Sequence, residues 1–278
     1  GEAVNWRLLL LATGGIGFLM SGMVYIFIRE PKRGACEPAL GEIDMTGVYL
    51  FDWDIAKTYL IKPGLLLIYA FGLFGVMPWF VISSRLFTYL VNVEHIPPGV
   101  SFLNLVPGLI AYILGFPVSG LLGDTLFKRM KRGRIIVSMF GVIFPFLLLC
   151  LAFTVTSAQE NLFLFLMMLM GFFMSFTWPN LIASILDTAL PELRASASSI
   201  LLLFQSLGAL LGPWLVSILQ QGLGLGNAIL AVCLGSWGIC LVLQFGLLIH
   251  IPKNIEELRQ HMAYRSHLEA RLQSSKAD

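Results

Sequence analysis

Apolar runs of about 20 residues return seven times along this chain, and no other feature restricts its fold so strongly. A helix rises about 1.5 Å per residue, so a run of about 20 matches the ~30 Å hydrocarbon core of a bilayer. The runs cover residues 6–28, 63–91, 101–122, 135–156, 161–187, 196–219 and 227–250. Of the 278 residues, 57% are hydrophobic and 12% charged, against about 25% charged in a soluble domain, which leaves too few polar side chains for a water-facing surface. The sequence therefore predicts an all-α polytopic membrane protein with seven transmembrane helices. The first run lacks a basic leader and a small-residue cleavage site, which excludes a signal peptide. A chain that starts at Gly1 rather than Met is expected to be a fragment truncated upstream.

Positively charged loops resist translocation, so the placement of Lys and Arg sets orientation. Sixteen of the 18 lie after the first, third, fifth and seventh runs, as in Arg29, Lys32, Arg33, Lys57 and Lys62, or Lys128 to Arg134. The alternate loops, 92–100, 157–160 and 220–226, hold none and carry Glu94 and Glu160. The amino end is then expected outside and the carboxyl end in the cytoplasm, in a plasma or cytoplasmic membrane. A net charge of +2 gives a nucleic-acid partner no electrostatic support; the lipid bilayer is the expected environment.

Two segments outside the runs predict structure. Residues 31–62 read as an interdomain linker, with Trp53, Ala56 and Leu60 spaced for a short amphipathic helix at the inner surface. After Pro252, Asn254 and Glu257 have capping-box spacing, followed by Ile255, Leu258, Met262, Leu268 and Leu272, which predicts a separate cytoplasmic tail helix over 251–278. Cys36, Cys150, Cys233 and Cys240 lack metal-ligand or paired spacing and read as packing residues. The glycine-rich stretch Gly222–Gly226 lacks the strand and acid of a nucleotide site and reads as a turn. His95, His250, His261 and His267 converge with no nucleophile and acid in one layer, so no enzyme, cofactor or metal site is expected.

An ionisable side chain inside a bilayer costs about 2.5–3.5 kcal/mol, so it must face a cavity or a partner. Arg85 shares a helix face with Ile82 and Tyr89, and Pro78 precedes it; it either meets an anionic group of a ligand or snorkels to the headgroups. Thr177, Asn180, Ser184 and Asp187 step by three, four and three, one polar stripe beside Trp178-Pro179. That stripe either lines a wet cavity or bonds neighbouring helices. Asp187 is a candidate for ion coupling or a partner for Arg194. Ser101, Asn104, Gly108, Tyr112, Gly115 and Ser119 form a small, polar face suited to tight packing, from which Asn104 and Tyr112 have the reach to meet a cavity, though the spacing does not demand it. Gln205, Gly208 and Gly212 lie on one side of the sixth run, with Pro213 next, and predict a close helix contact.

Gly120-Leu121-Leu122-Gly123-Asp124, followed by Lys128-Arg129-Met130-Lys131-Arg132-Gly133-Arg134, resembles the cytoplasmic loop motif of the major facilitator superfamily. Thr125 stands where the family has a basic residue. Pro191-Glu192-Leu193-Arg194-Ala195-Ser196-Ala197 with Gly208, Gly212 and Pro213 is similar to a second loop and helix of that family, and Arg29-Glu30-Pro31-Lys32-Arg33-Gly34 looks like the start of its central linker in Spinster-like and related prokaryotic members. The resemblance implies helices six to twelve of a twelve-helix fold: 1–30 the last helix of an amino-terminal bundle, 31–62 the linker, 63–250 the carboxyl-terminal bundle.

It also implies secondary transport by alternating access, with Gly120, Asp124, Arg129 and Arg132 as a conformational latch. Arg85, Tyr89, Asn180, Ser184 and Gln205 are then the candidate cavity contacts, for a small, amphipathic organic substrate, anionic if Arg85 binds it. The missing amino-terminal helices would be partners, and the chain alone is expected not to transport. A seven-span receptor with its amino end outside is the alternative.

Overall fold

The computed structural model of the protein describes residues 6–28, 53–155 and 160–277, and among these every regular element is a helix. The linker residues 31–52, with Cys36 and the motif residues Arg29 to Gly34, lie outside the described residues. The chain divides into two compact units, Gly1–Tyr49 with Glu269–Asp278, and Leu50–Leu268. The first holds α1 (Trp6–Phe27), 22 residues that rise about 33 Å, enough to cross a bilayer. Within it Thr13 Oγ1 donates to the Leu9 and Leu10 carbonyls at 2.9 and 3.1 Å, so its hydroxyl is satisfied inside the helix.

The second unit contains α2 (Trp53–Leu60), α3 (Pro63–Asn92), α4 (Pro98–Arg129), α5 (Gly133–Ala152), α6 (Glu160–Met174), α7 (Thr177–Thr188), α8 (Arg194–Leu223) and α9 (Leu225–Ala277), the last through Leu268. Among the described residues seven segments, counting α1, are long and apolar enough to span a membrane, and they coincide with the seven predicted runs. The core of this second unit holds Ile68, Phe71, Leu181, Ile185, Ile229 and Leu247, all inaccessible. Leu103, Ile113 and Leu121 on α4 and Leu202 and Leu210 on α8 stay at least 60% exposed. Lipid is as apolar as these side chains, so close packing, rather than burial from water, holds such helices together.

Glycine supplies that closeness. A Cβ on Gly208 of α8 would lie 2.0 Å from the Leu73 carbonyl oxygen of α3, and one on Gly171 of α6 would lie 2.4 Å from the Gly108 carbonyl oxygen of α4. The turn from α8 to α9 is the single residue Gly224, at φ 77° and ψ 160°, a conformation open only to glycine. Of the glycine-rich stretch expected to be a turn, only Gly224 is one; Gly222 and Leu223 end α8, and Leu225 and Gly226 begin α9.

The far end of α9 departs from expectation. No new helix starts at Asn254; α9 runs unbroken through Pro252. Asn254 and Glu257 are engaged elsewhere and do not cap. The Asn254 side chain is 5% exposed and its Nδ2 lies 2.3 Å from where a Gly64 Cβ would stand, so it packs on the backbone at the start of α3. Glu257 pairs with Lys62 at 2.8 Å, Lys131 bonds Glu256, and the His261 ring meets Tyr59 of α2 edge to face at 5.7 Å. The spaced residues Ile255, Leu258 and Met262 are buried in this contact. The short helix expected at Trp53–Leu60 is present as α2, with Ala56 inaccessible and Trp53 68% exposed.

Candidate functional site

The fifth membrane segment is broken, and the break organises the site. Pro179 has no N–H to give the Ser175 carbonyl, and its ring crowds the turn before it, so the helix stops at Met174 and restarts as α7 at Thr177. The released carbonyls find partners from side chains. Ser119 Oγ of α4 donates to Ser175 O at 3.4 Å, while Asn180 Nδ2 donates to Phe176 O at 2.9 Å and to Ser119 O at 3.2 Å. Such approach needs small residues on α4: a Cβ on Gly115 would lie 2.5 Å from the Phe172 carbonyl oxygen, and one on Gly123 1.7 Å from Asn180 Oδ1. On the α5 side, Thr177 Oγ1 donates to Ser138 O at 3.3 Å, and Gln244 Nε2 of α9 donates to Ser138 Oγ at 2.9 Å, both buried.

Beside the break lies a cavity of about 280 Å³. It is lined by Phe71, Gly75, Val76, Trp79 and Phe80 of α3, Tyr112 of α4, Gly141 and Val142 of α5, Met174 of α6, and Thr177 and Trp178 of α7. Leu202, Gln205, Ser206 and Ala209 of α8 and Trp237 of α9 complete it. Trp79 and Tyr112 stack with centroids 4.2 Å apart and planes 19° from parallel. The polar groups of the wall are neutral: Gln205, Ser206, Thr177 and the Tyr112 hydroxyl. The arrangement suits noncovalent binding of an organic molecule.

At the end of the bundle that carries the α4–α5 turn, Arg134 joins three helices. Its Nη2 donates to Asp124 Oδ1 of α4 at 2.8 Å, its Nη1 bonds Asp187 of α7, and its guanidinium sits 4.2 Å over the Phe127 ring. Asp187 stands at the carboxyl end of α7 and Arg134 at the amino end of α5, each where the dipole of its own helix disfavours its charge. The pairing offsets both. Arg194 Nε donates to the Leu186 carbonyl at 3.0 Å.

The sequence-predicted residues divide accordingly. Gln205 lines the cavity, as does Thr177 of the polar stripe. Asn180 and Ser184 are 2% exposed and do not line it; Asn180 ties α7 to α4, and Ser184 Oγ donates back to Asn180 O at 2.7 Å. Arg85 is outside the cavity wall, donating to Ser217 Oγ at 2.5 Å and to Pro213 O at 3.5 Å on α8. Tyr89 donates to Glu94 at 2.6 Å and packs on Phe153. Asp124 and Asp187 are brought together by Arg134. Arg129 and Arg132 are exposed, and a Cβ on Gly120 would meet nothing within 4 Å. Gly208 and Gly212 press on Leu73 and Met77 of α3.

Sequence reasoning passed over Trp79 and Trp237, and it named Arg134 in the loop motif without placing it in the latch. Arg134 had a signal of its own, being the last basic residue before an apolar run and the one carried into the membrane edge by Gly133, which packs on the Leu126–Phe127 backbone.

The Asn180 contact can be weighed. Side-chain hydrogen bonds between membrane helices average about 0.6 kcal/mol and reach about 1.7. Asn180→Ala, which removes the two bonds donated by Nδ2 and leaves Gly123 unpacked, is expected to sit near the upper figure in thermal unfolding of the purified protein in detergent. A melting temperature equal to that of the unaltered protein would dismiss the contact.

Comparison with known proteins agrees with this geometry. A family model described as Major Facilitator Superfamily matches residues 1–213 and 109–272. An "MFS-type efflux pump" of Mycolicibacterium smegmatis (strain ATCC 700084 / mc(2)155) is 25% identical over 227 residues, which is 80% of this chain and 50% of that protein. The chain thus spans about half the length of the curated relative it matches, and that relative is named an efflux pump and not a Spinster-like protein. Neither match supports the receptor alternative. With the family model covering nearly the whole sequence, the chain belongs to the Major Facilitator Superfamily.

Proposed function

We propose that this chain is the carboxyl-side part of a secondary transporter that moves a small, amphipathic organic solute by alternating access. The observation that carries the reading is the cavity walled by the six membrane segments from α3 to α9, with the broken α6–α7 segment contributing Met174, Thr177 and Trp178. Discontinuous helices beside a central site are a recurring device of secondary transporters. In this reading α1 ends an amino-terminal bundle, residues 31–62 link it to the bundle of 63–250, and the α4–α5 turn and the α9 tail face the cytoplasm. Amino-terminal helices outside this chain would supply the facing half of the site. The curated efflux pump makes outward movement the first direction to test.

The bridge of Asp124, Arg134 and Asp187 is the proposed latch, to which the family resemblance adds Gly120, Arg129 and Arg132. A contact formed in one state and released in another sets the balance between the two. Asp187 is the proposed coupling group, since a carboxylate that loses Arg134 on release is free to take a proton.

Asp124 is 60% exposed in this pair, so its loss should cost under ~1 kcal/mol of stability while altering the balance of states. Asp124→Ala in the native-length protein is therefore expected to express at the usual level yet transport several-fold more slowly in vesicles under an imposed proton gradient. Transport at the unaltered rate would remove the latch.

A further inference from the structure

The geometry points to a flat aromatic ligand without negative charge, held in the cavity by tryptophan faces and read along one polar edge by Gln205. This rests on the transport reading for its purpose, but the argument comes from the cavity alone.

Six of the sixteen lining residues are aromatic: Phe71, Trp79, Phe80, Tyr112, Trp178 and Trp237. Aromatic rings prefer offset stacking or edge-to-face contact, and the wall already contains one stacked pair, Trp79 on Tyr112, at 4.2 Å and 19°. A slab-shaped guest meets such walls over its whole face, whereas a branched or saturated one touches them only at points.

Charge narrows the class further. Among the described residues that line the cavity there is no Asp, Glu, Lys, Arg or His. Arg85, the cation expected to meet an anionic substrate, is turned to α8, where Ser217 and Pro213 take its N–H groups. An anion against this wall meets no counter-charge from it, which is costly in low dielectric. A neutral molecule pays no such cost, and a delocalised cation is compensated by the negative faces of the tryptophans.

Gln205 supplies the remaining discrimination. It is half-buried on the cavity wall, and no hydrogen bond engages its amide among the described residues. The Gly72 position opposite lets its Cγ approach to 3.6 Å of where a Cβ would stand. An unengaged amide offers one donor and one acceptor side by side, matched by a carboxamide or lactam edge. The neighbouring Ser206 hydroxyl is spent on the Leu202 carbonyl at 2.8 Å.

The test is equilibrium binding to the native-length protein in detergent, read by tryptophan fluorescence, with four probes of similar size. These are naphthalene-carboxamide, N-methylquinolinium, naphthalene-sulfonate and the saturated decalin-carboxamide. The first two are expected to bind at least tenfold more tightly than the last two. Trp178→Leu should weaken the two flat probes about tenfold while sparing decalin-carboxamide, and Trp178→Phe, which keeps a ring, should restore most of the loss. Gln205→Leu should weaken naphthalene-carboxamide several-fold and leave N-methylquinolinium unchanged.

Sulfonate or decalin binding within threefold of the flat probes overturns the proposal with the unaltered protein alone, whatever the variants do. Vesicle transport of N-methylquinolinium under a proton gradient keeps the two readings apart. Binding selectivity without movement would sink the transport reading and leave the ligand class standing; movement of solutes with no ring selectivity would do the reverse.

Discussion

Arg134→Ala should be more damaging than the loss of either carboxylate it holds. The guanidinium is 15% exposed, Asp187 26% and Asp124 60%, so the Arg134–Asp187 half of the bridge is the better shielded. Removing one partner of a fully buried pair costs about 3–5 kcal/mol and of an exposed pair about 0–1; this pair lies between them, at about 1–3. The variant also leaves two carboxylates near one another with nothing between them, and removes the cation that covers Phe127. Transport is expected to fall at least tenfold, equivalent to ~1.4 kcal/mol in a barrier, with a clear drop in melting temperature.

Arg134→Lys should recover only part of either, because a point charge cannot serve two carboxylates as the planar fork does. The decisive measurement is a double-mutant cycle with Asp187→Asn. If the bridge is real, the double variant loses distinctly less stability than the two single losses together; simple additivity would mean that Arg134 and Asp187 act independently.

The second large effect is steric. A Cβ at Gly208 would stand 2.0 Å from the Leu73 carbonyl oxygen and 2.7 Å from Val76 Cγ1. The oxygen belongs to backbone and cannot turn aside, so α3 and α8 must move apart. Overpacking of this kind costs about 1–3 kcal/mol and at times more. The two helices share the cavity through Gly75, Val76, Gln205 and Ala209, so Gly208→Ala should also loosen ligand binding.

A graded series checks this. At Gly212 the nearest atoms of Met77 stand at 3.2 Å, a smaller intrusion, and at Gly235 of α9 nothing lies within 4 Å. Melting temperatures should fall most for Gly208→Ala, less for Gly212→Ala, and not at all for Gly235→Ala, where alanine favours the helix. Equal stability across the three would refute the close α3–α8 contact.

Membrane class, the number of spans and their approximate limits follow from the sequence alone. A bilayer admits few structures, because each backbone N–H and C=O must be satisfied within its own segment, and about 20 apolar residues can do that only as a helix. Gly208 with Gly212 announced a close contact, since a missing Cβ acts wherever the helix lies. Pro179 marked a kink, but Pro78, Pro145 and Pro213 sit inside unbroken helices, so only the structure says which proline interrupts one. The superfamily was legible for a similar reason, in loop residues whose spacing is tied to helix ends.

What each polar side chain faces was decided only by tertiary structure. A helical repeat puts Thr177, Asn180 and Ser184 on one stripe, yet it does not say which neighbour covers the stripe, and α4 took Asn180 while the cavity took Thr177. Arg85 had two fates open to it and found a third, the Pro213 carbonyl and Ser217 of α8. Trp79 and Trp237 looked like any other apolar residues in their runs. Period and composition describe one helix at a time, whereas a cavity is a property of the six membrane segments that surround it.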